Sequence, residues 1–144
     1  MARVAGSVSG PDVSESSDRW VLPVADQPVV TCCVDYALTF RFGNDVTLRI
    51  EQLFVYRTAE GVEHLIVLEG DPVRLAPALA VCRQVARRGL AFKDGHLELD
   101  FADGSWVRVP TAEDLEPWEL VGPDGLRVVS VPGGDLAIWR TPPT

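Results

Sequence analysis

The residues best suited to chemistry in this chain are His96, Glu98 and Asp100, which occupy every second position of an alternating apolar and polar run. In a β-strand, such residues share one face and successive ones lie about 7 Å apart. One imidazole and two carboxylates on one face could hold a divalent metal ion if a neighbouring strand supplied a further ligand. The favoured alternative is a solvated polar strand face, which hairpins commonly show. We therefore predict no metal and no cofactor, and these three residues are the metal-site candidates.

Asp35 and His64 are the candidate catalytic residues. His64 follows Glu63, a carboxylate neighbour that could make the imidazole a general base. The favoured interpretation of His64 is a histidine at the end of a strand that bonds to water or to the backbone. Aspartate is uncommon in strands, so Asp35 could be a catalytic carboxylate or a contact to a partner. It could equally form an ion pair with Arg41 or Arg49 across the outer face of a sheet. The sequence contains no phosphate-binding loop, dinucleotide-binding glycine motif or nucleophile elbow, so we predict no catalytic residue.

Three tryptophans are candidate binding residues: Trp106, Trp118 and Trp139. Tryptophan is favoured as an anchor in protein interfaces. It also fills the cores of small β proteins, where its indole N–H finds an acceptor. Core packing is the favoured interpretation for each of the three.

Arg87 and Arg88 are the other candidate binding residues, and with Arg83 they form a basic cluster. This cluster could bind an anionic ligand, or it could dock on the acidic segment 113–116 of the same chain or of a second copy. A solvated run of charges is the favoured interpretation.

Composition excludes several classes of function. The 144 residues include 21 acidic and 13 basic side chains, for a net charge of −8, which repels phosphate backbones and argues against nucleic acid. No apolar run approaches the roughly 20 residues of a membrane-spanning helix. The N-terminal residues lack the apolar stretch of a signal peptide, and three cysteines indicate no disulfide framework. We expect a cytoplasmic protein that does not bind membranes.

Turn dipeptides between short alternating runs predict the fold. Asp94-Gly95, Asp103-Gly104 and Asp124-Gly125 each separate two such runs, and aspartate and glycine tolerate the positive φ that tight hairpins require. The pattern predicts an α+β, mainly β domain of about nine antiparallel strands. These would form a curled meander or a two-layer or half-barrel sheet.

The clearest strand is predicted over residues 29–42. Its alternation places five apolar side chains on the inner face: Val34, Tyr36, Leu38, Phe40 and Phe42. A second clean alternation places Leu97, Leu99 and Phe101 inward.

One short helix is predicted near residues 72–83. Asp71 suits the N-cap position and Pro72 the first helical position. Pro77 interrupts a continuous helix, which leaves either a turn at 71–76 followed by a helix from Pro77 to about Arg83, or one kinked helix. We favour the first arrangement. Residues 1–18 carry few large apolar side chains and are predicted to be a flexible tail, and residues 19–141 a single globular domain.

The order of several segments resembles an uncharacterised family of small, mostly actinobacterial proteins that carry a domain of unknown function. The likeness covers roughly residues 28–140. The segments that carry it are Val34-Asp35-Tyr36-Ala37-Leu38, Glu63-His64-Leu65, Glu69-Gly70-Asp71-Pro72, Pro77-Ala78-Leu79, Pro117-Trp118-Glu119-Leu120, Gly122-Pro123-Asp124-Gly125 and Val129-Ser130-Val131-Pro132-Gly133-Gly134. The resemblance implies a self-contained cytoplasmic domain, and it transfers no activity or site.

Three hypotheses of function follow. The first is a non-catalytic interaction module that binds a basic protein partner through an acidic or aromatic surface, in its most concrete version in the manner of an immunity protein. The second is a small-molecule-binding domain or small enzyme that uses Asp35, His64 or the face formed by His96, Glu98 and Asp100. The third is a homodimer that pairs through the edges of its sheets. The acidic balance and the lack of catalytic motifs favour the first.

Overall fold

A computed structural model describes residues 10–140, which form thirteen β-strands and one helix. The strands are β1 (Ser14–Glu15), β2 (Arg19–Leu22), β3 (Val29–Val34), β4 (Leu38–Phe42), β5 (Thr47–Ile50), β6 (Phe54–Arg57), β7 (Glu63–Ile66), β8 (Ala86–Phe92), β9 (Leu97–Phe101), β10 (Trp106–Val109), β11 (Trp118–Val121), β12 (Leu126–Val131) and β13 (Asp135–Arg140). The helix spans Pro72–Val81.

The strands form two antiparallel sheets. The first sheet has the order β1-β2-β8-β9-β10-β6-β7, and the second has the order β13-β12-β11-β5-β4-β3. This architecture confirms the prediction of a mainly β, antiparallel fold with one short helix, in the two-layer arrangement. The number of strands exceeds the predicted nine, partly because one predicted strand is divided.

The predicted strand over residues 29–42 is two strands, β3 and β4, joined by a tight turn at residues 35–37. The Asp35 side chain accepts a hydrogen bond from Ala37 N at 2.7 Å, and Asp35 N donates to Ala37 O at 3.0 Å. Leu38, Phe40 and Phe42 are fully buried as predicted. The inward placement of Val34 and Tyr36 is wrong, because Val34 lies at the exposed end of β3 and Tyr36 lies in the turn, where its side chain is in solvent.

The three predicted turn dipeptides do connect paired strands. Gly95 joins β8 to β9, Gly104 joins β9 to β10, and Gly125 joins β11 to β12. All three glycines have a φ between 90° and 102°, the region that side chains disfavour.

A single hydrophobic core lies between the two sheets. The first sheet contributes Leu97, Leu99 and Phe101, buried as predicted. The second sheet contributes Phe40 and Leu120 to the same cluster. Polar residues on the opposite sides of these strands therefore lie on the two outer faces of the molecule.

The helix is a 3-10 helix with Pro77 inside it. The predicted N-cap is confirmed, since Asp71 accepts a hydrogen bond from Val73 N at 3.0 Å. The favoured division into a turn and a helix that begins at Pro77 is wrong. Leu75, Ala78 and Val81 are the buried residues, and their spacing of three matches the three residues per turn of a 3-10 helix, in which i and i+3 align.

Part of the predicted N-terminal tail, residues 1–18, can be followed. Residues 1–9 lie outside the described residues, as does residue 141 of the predicted domain. Ser14 and Glu15 pair with β2, and Lys93 Nζ lies 2.6 Å from Glu15 Oε2. Arg140 Nη2 lies 2.9 Å from Asp12 Oδ1. The domain boundary stays a prediction.

Within residues 10–140, no helix combines the length and the apolar character needed to cross a membrane.

Candidate functional site

Two concave surfaces hold half of the candidate residues, and they differ in charge. The first, called the acidic groove, has a volume of about 650 Å³. It lies where the β3–β4 turn meets the connections β5–β6, β7–helix and β10–β11. The residues that define it are Asp35, Tyr36, Glu51, Leu53, Glu69 and Leu115.

The β3–β4 turn presents Asp35 and Tyr36 to the groove. Arg49 Nη1 lies 3.3 Å from Asp35 Oδ2, so the predicted ion pair with Arg49 is present. The backbone N–H of Ala37 and the Arg49 guanidinium lower the pKa of Asp35 below its usual value. An exposed, ionised and paired carboxylate is poorly suited to general base catalysis at neutral pH. Its hydrogen bonds instead fix the turn that carries Tyr36.

Hydrogen bonds from the β5–β6 connection hold the long β10–β11 loop against the groove. The Gln52 side chain donates to Pro110 O and, at 3.5 Å, to Thr111 O. Glu51 N donates to Pro117 O at 2.9 Å. The loop between these two anchor points carries Leu115, which therefore lies at the wall of the groove.

Apolar side chains in the groove remain open to solvent although nearby residues are acidic. Tyr36 is 94% exposed, Leu53 49% and Leu115 42%. Glu69 lies on the wall, and none of the ion pairs formed within residues 10–140 includes its side chain. None of those ion pairs includes Glu113, Asp114 or Glu116 beside Leu115 either, and all three residues are exposed. The surface thus combines accessible apolar area with more carboxylates than the single guanidinium of Arg49 neutralises.

The second concave surface, called the arginine cavity, has a volume of about 590 Å³ and lies on the outer face of the first sheet. Its defining residues are Arg87, Arg88, Asp100, Trp106 and Arg108, next to Gly104 and Ser105 of the β9–β10 turn. Residues from three separate candidate groups thus meet in one place: the arginine pair Arg87 and Arg88, Asp100, and Trp106.

Asp100 joins two arginines on neighbouring strands. Its Oδ2 lies 2.5 Å from Arg88 Nε, and its Oδ1 lies 2.8 Å from Arg108 Nη1. Burial raises the pKa of Asp100, but hydrogen bonds from Arg88 and Arg108 outweigh that effect and leave the pKa below 3.8. Asp100 is therefore ionised at neutral pH and serves as an anchor for guanidinium groups.

The three candidate tryptophans have different environments. Trp106 is half-buried, and the guanidinium carbon of Arg108 lies 4.5 Å from its ring centre. Trp118 is fully buried and its Nε1 donates to Gly95 O at 3.0 Å, so it is a core residue that no partner can reach. Trp139 is 41% exposed, with Arg127 5.8 Å from its ring centre.

His96, Glu98 and Asp100 share the outer face as predicted, but their polar atoms already have protein partners. His96 Nδ1 lies 2.5 Å from Asp94 Oδ1, and His96 Nε2 lies 3.2 Å from Glu98 Oε2. The imidazole also stacks on Phe92, with ring centres 4.1 Å apart. Within the described part of the chain, no three His, Cys, Asp or Glu side chains are grouped so that they could hold a metal ion.

His64 lies on β7 at the edge of the first sheet, opposite Tyr56. Its ring is 6.4 Å from that of Tyr56, in a stacked arrangement. It lines neither concave surface, so the structure does not bring it together with Asp35 or with the outer face that carries His96.

Sequence reasoning missed Leu53, Glu69 and Leu115 of the groove and Arg108 of the cavity. The three groove residues belong to separate connections between strands. These connections lie next to each other only because of the order of strands that are distant in sequence. Arg108 had a local signal, since the β9–β10 hairpin register pairs it with Glu98 on the face that carries Asp100.

In a comparison with protein families, the family model described as "Family of unknown function (DUF6188)" matches residues 20–140. No curated protein and no solved structure is similar enough to this chain to count as a match. The matched range contains both concave surfaces and runs from β2 to the end of β13. The chain therefore belongs to DUF6188, a family of unknown function, in line with the resemblance noted from its sequence segments.

Proposed function

We propose that this protein is a non-catalytic interaction module whose acidic groove binds a basic segment of another protein. The observation that carries this proposal is the almost complete exposure of Tyr36 beside Leu53 and Leu115 in a groove bordered by carboxylates. Tyrosine offers a large amphipathic contact surface and is enriched among the residues that dominate binding energy.

Charge determines the kind of partner. In the groove, Asp35 and Glu51 share the single guanidinium of Arg49, whereas Glu69 and the acidic side chains of the adjacent segment 113–116 are in none of the ion pairs within residues 10–140. The whole chain has a net charge of −8. Complementary charge speeds encounter and selects partners of opposite sign. A segment with arginine or lysine side chains between apolar residues fits both the carboxylates and the apolar wall.

The most concrete version of this function is the neutralisation of a basic effector in the cytoplasm, in the manner of an immunity protein. A catalytic role has less support from the geometry. Asp35 is paired with Arg49, His64 lies apart from both concave surfaces, and the carboxylate of Asp100 is occupied by two arginines. The three candidate groups therefore do not meet in one pocket.

Site-specific photo-crosslinking tests this proposal. A photo-reactive phenylalanine analogue at position 36 should crosslink a partner in native lysate, and mass spectrometry should locate the crosslink in a basic segment. The matched control carries the same analogue at position 65, because Leu65 is also exposed but lies on β7, outside the groove. Crosslinks of equal yield at both positions, or crosslinks only between copies of this chain, would contradict the proposal.

Substitutions then test the energetics with a peptide copied from the crosslinked segment. Tyr36→Ala should raise the dissociation constant at least about tenfold, because truncation of an interface anchor costs about 2 kcal/mol. Leu65→Ala should leave it unchanged. An increase in salt concentration should weaken binding, because the attraction between exposed charges is screened. Salt-independent binding, or equal losses in the two variants, would exclude the acidic groove.

A further inference from the structure

We infer that the arginine cavity binds the phosphate group of a small molecule, with Arg87, Arg88 and Arg108 as its ligands. This inference is independent of the proposed function, since the cavity shares no residue with the acidic groove and carries the opposite charge.

A β-bulge places two consecutive arginines on the same exposed surface. The β8–β9 register shifts between Ala86, which pairs with Phe101, and Arg88, which pairs with Asp100. Arg87 is the extra residue. In a regular strand Arg87 would point away from Arg88, towards the core, whereas both side chains are exposed and both line the cavity. Bulges commonly redirect side chains next to binding sites.

Arg108 is held in place before any ligand arrives. Its Nη1 lies 2.8 Å from Asp100 Oδ1 and donates to Val107 O at 3.1 Å, and its guanidinium packs on the Trp106 ring. Asp100 also holds Arg88 through its other oxygen. A pre-organised arginine loses less conformational entropy when it binds an anion.

The hydrogen-bonding capacity of the cavity exceeds what the protein uses. Each guanidinium has five N–H donors. Within residues 10–140, the hydrogen bond of the Arg88 side chain to Asp100 uses only its Nε. Arg87 takes part in none of the ion pairs formed within residues 10–140. Three guanidinium groups and the carboxylate of Asp100 line the cavity, and Glu98 Oε1 lies 3.7 Å from Arg108 Nε at its border. With both carboxylates counted, one guanidinium charge remains in excess, on a chain that is otherwise acidic.

A phosphate group matches this excess. It carries a charge of about −1.5 to −2 at neutral pH and has several acceptor oxygens, and arginine binds it in a bidentate manner. A dicarboxylate presents similar charge with a different arrangement of oxygens. A long nucleic acid is a poor fit, because the net charge of the whole chain repels a polyanion.

Titration of the full chain with inorganic phosphate, followed by amide NMR at constant ionic strength, tests this site. The amide signals of Arg87, Arg88, Gly104 and Ser105 should shift together and saturate. Malonate serves as the dicarboxylate probe and should bind more weakly. Uniform small shifts over the surface, the absence of saturation, or malonate binding tighter than phosphate binding would overturn the inference.

Arg87→Gln is the decisive variant, because the side chain is exposed and its loss should not affect folding. We expect it to weaken phosphate binding about tenfold, the value of one charge-assisted hydrogen bond. Arg74→Gln is the matched control, since Arg74 is also exposed, lies on the 3-10 helix and undergoes the same change of charge. Equal affinity in wild type and Arg87→Gln, or an equal loss in both variants, would show that phosphate does not bind in this cavity.

Discussion

The carboxylate of Asp100 forms ion pairs with two arginines, Arg88 through Oδ2 and Arg108 through Oδ1. Its side chain is only 18% exposed, whereas most other carboxylates in ion pairs of this protein are more accessible. Partial burial limits competition from water, so the pairing survives the salt concentrations that screen exposed ion pairs. The same residue shapes the arginine cavity, because it holds Arg88 and Arg108 next to each other.

The pairing of Asp100 should make stability depend on pH. Because its pKa is lower in the folded protein than in the unfolded chain, its contribution is fully present above the unfolded value near 3.9 and is lost as pH falls through the folded value. Asp100→Asn should therefore lower the free energy of unfolding at pH 6 by about 1 kcal/mol. Below pH 4, the difference in the free energy of unfolding between the variant and wild type should become smaller. Urea denaturation at pH 6 and pH 3 measures both values.

Asp45→Asn is the matched control for this prediction. Asp45 also faces an arginine, with its Oδ1 3.2 Å from Arg41 Nη1, but its side chain is 67% exposed. Asparagine also tolerates the positive φ of this position. The control should change stability by less than about 0.5 kcal/mol. A deficit in Asp100→Asn that stays constant between pH 6 and pH 3 would mean that its charge does not stabilise the fold.

At the scale of elements, the β8–β9 turn connects the two sheets. The carbonyl oxygen of Gly95 accepts hydrogen bonds from Trp118 Nε1 at 3.0 Å and from Ser130 Oγ at 2.8 Å. Both donors belong to the second sheet, while the turn belongs to the first. Trp118 and Ser130 are buried, so this carbonyl satisfies two polar groups that water cannot reach.

Gly95→Ala should therefore destabilise the protein more than an alanine in a comparable turn. Gly95 has a φ of 102°, and an added Cβ would lie 3.1 Å from Asp135 N, Gly134 Cα and Ser130 Oγ. Gly104 has a φ of 90° but no atom within 4 Å of an added Cβ. We expect a loss of about 1 kcal/mol for Gly104→Ala from backbone strain alone, and about 2–3 kcal/mol for Gly95→Ala. Urea denaturation of the two variants compares them directly, and equal losses would contradict a packing role.

The elements predicted best from the sequence were those that depend only on neighbouring residues. The Asp-Gly turns and the alternation Leu97, Leu99, Phe101 depend only on neighbouring residues, and both were predicted correctly. The division of β3 from β4 was missed because the apolar alternation continues through the turn at Asp35 and Tyr36. The 3-10 character of the helix was missed, although the spacing of Leu75 and Ala78 was available as a signal.

The order of the strands in the two sheets could not be predicted from local sequence patterns. Both concave surfaces depend on this order. β2 pairs with β8, β5 with β11 and β6 with β10, all distant in sequence. The acidic groove therefore combines four connections that no local pattern links. Arg87, Arg88, Asp100 and Trp106 were each noticed from the sequence, but only the β8–β9 bulge and the β9–β10 register bring them into one cavity.

At the scale of the whole molecule, the two sheets are bound together by one core. Residues of both sheets belong to a single buried cluster, and the chain passes from one sheet to the other three times, after β2, β5 and β10. Neither sheet is formed by one continuous part of the chain. Loss of one sheet would expose the apolar face of the other, so partial unfolding should be costly.

Unfolding in urea should therefore be one cooperative transition. Tryptophan fluorescence reports on all four tryptophans, of which Trp20 and Trp118 belong to the shared core, and far-ultraviolet circular dichroism reports on all strands. The midpoints of unfolding from the two probes should therefore coincide. Phe40→Ala in the second sheet and Leu99→Ala in the first should each lower the free energy of unfolding by about 3 kcal/mol, because each leaves a cavity in the shared core. In each variant, the unfolding midpoints from fluorescence and from circular dichroism should shift by the same amount. If Phe40→Ala separated the two probes into successive transitions, the sheets would unfold independently of each other.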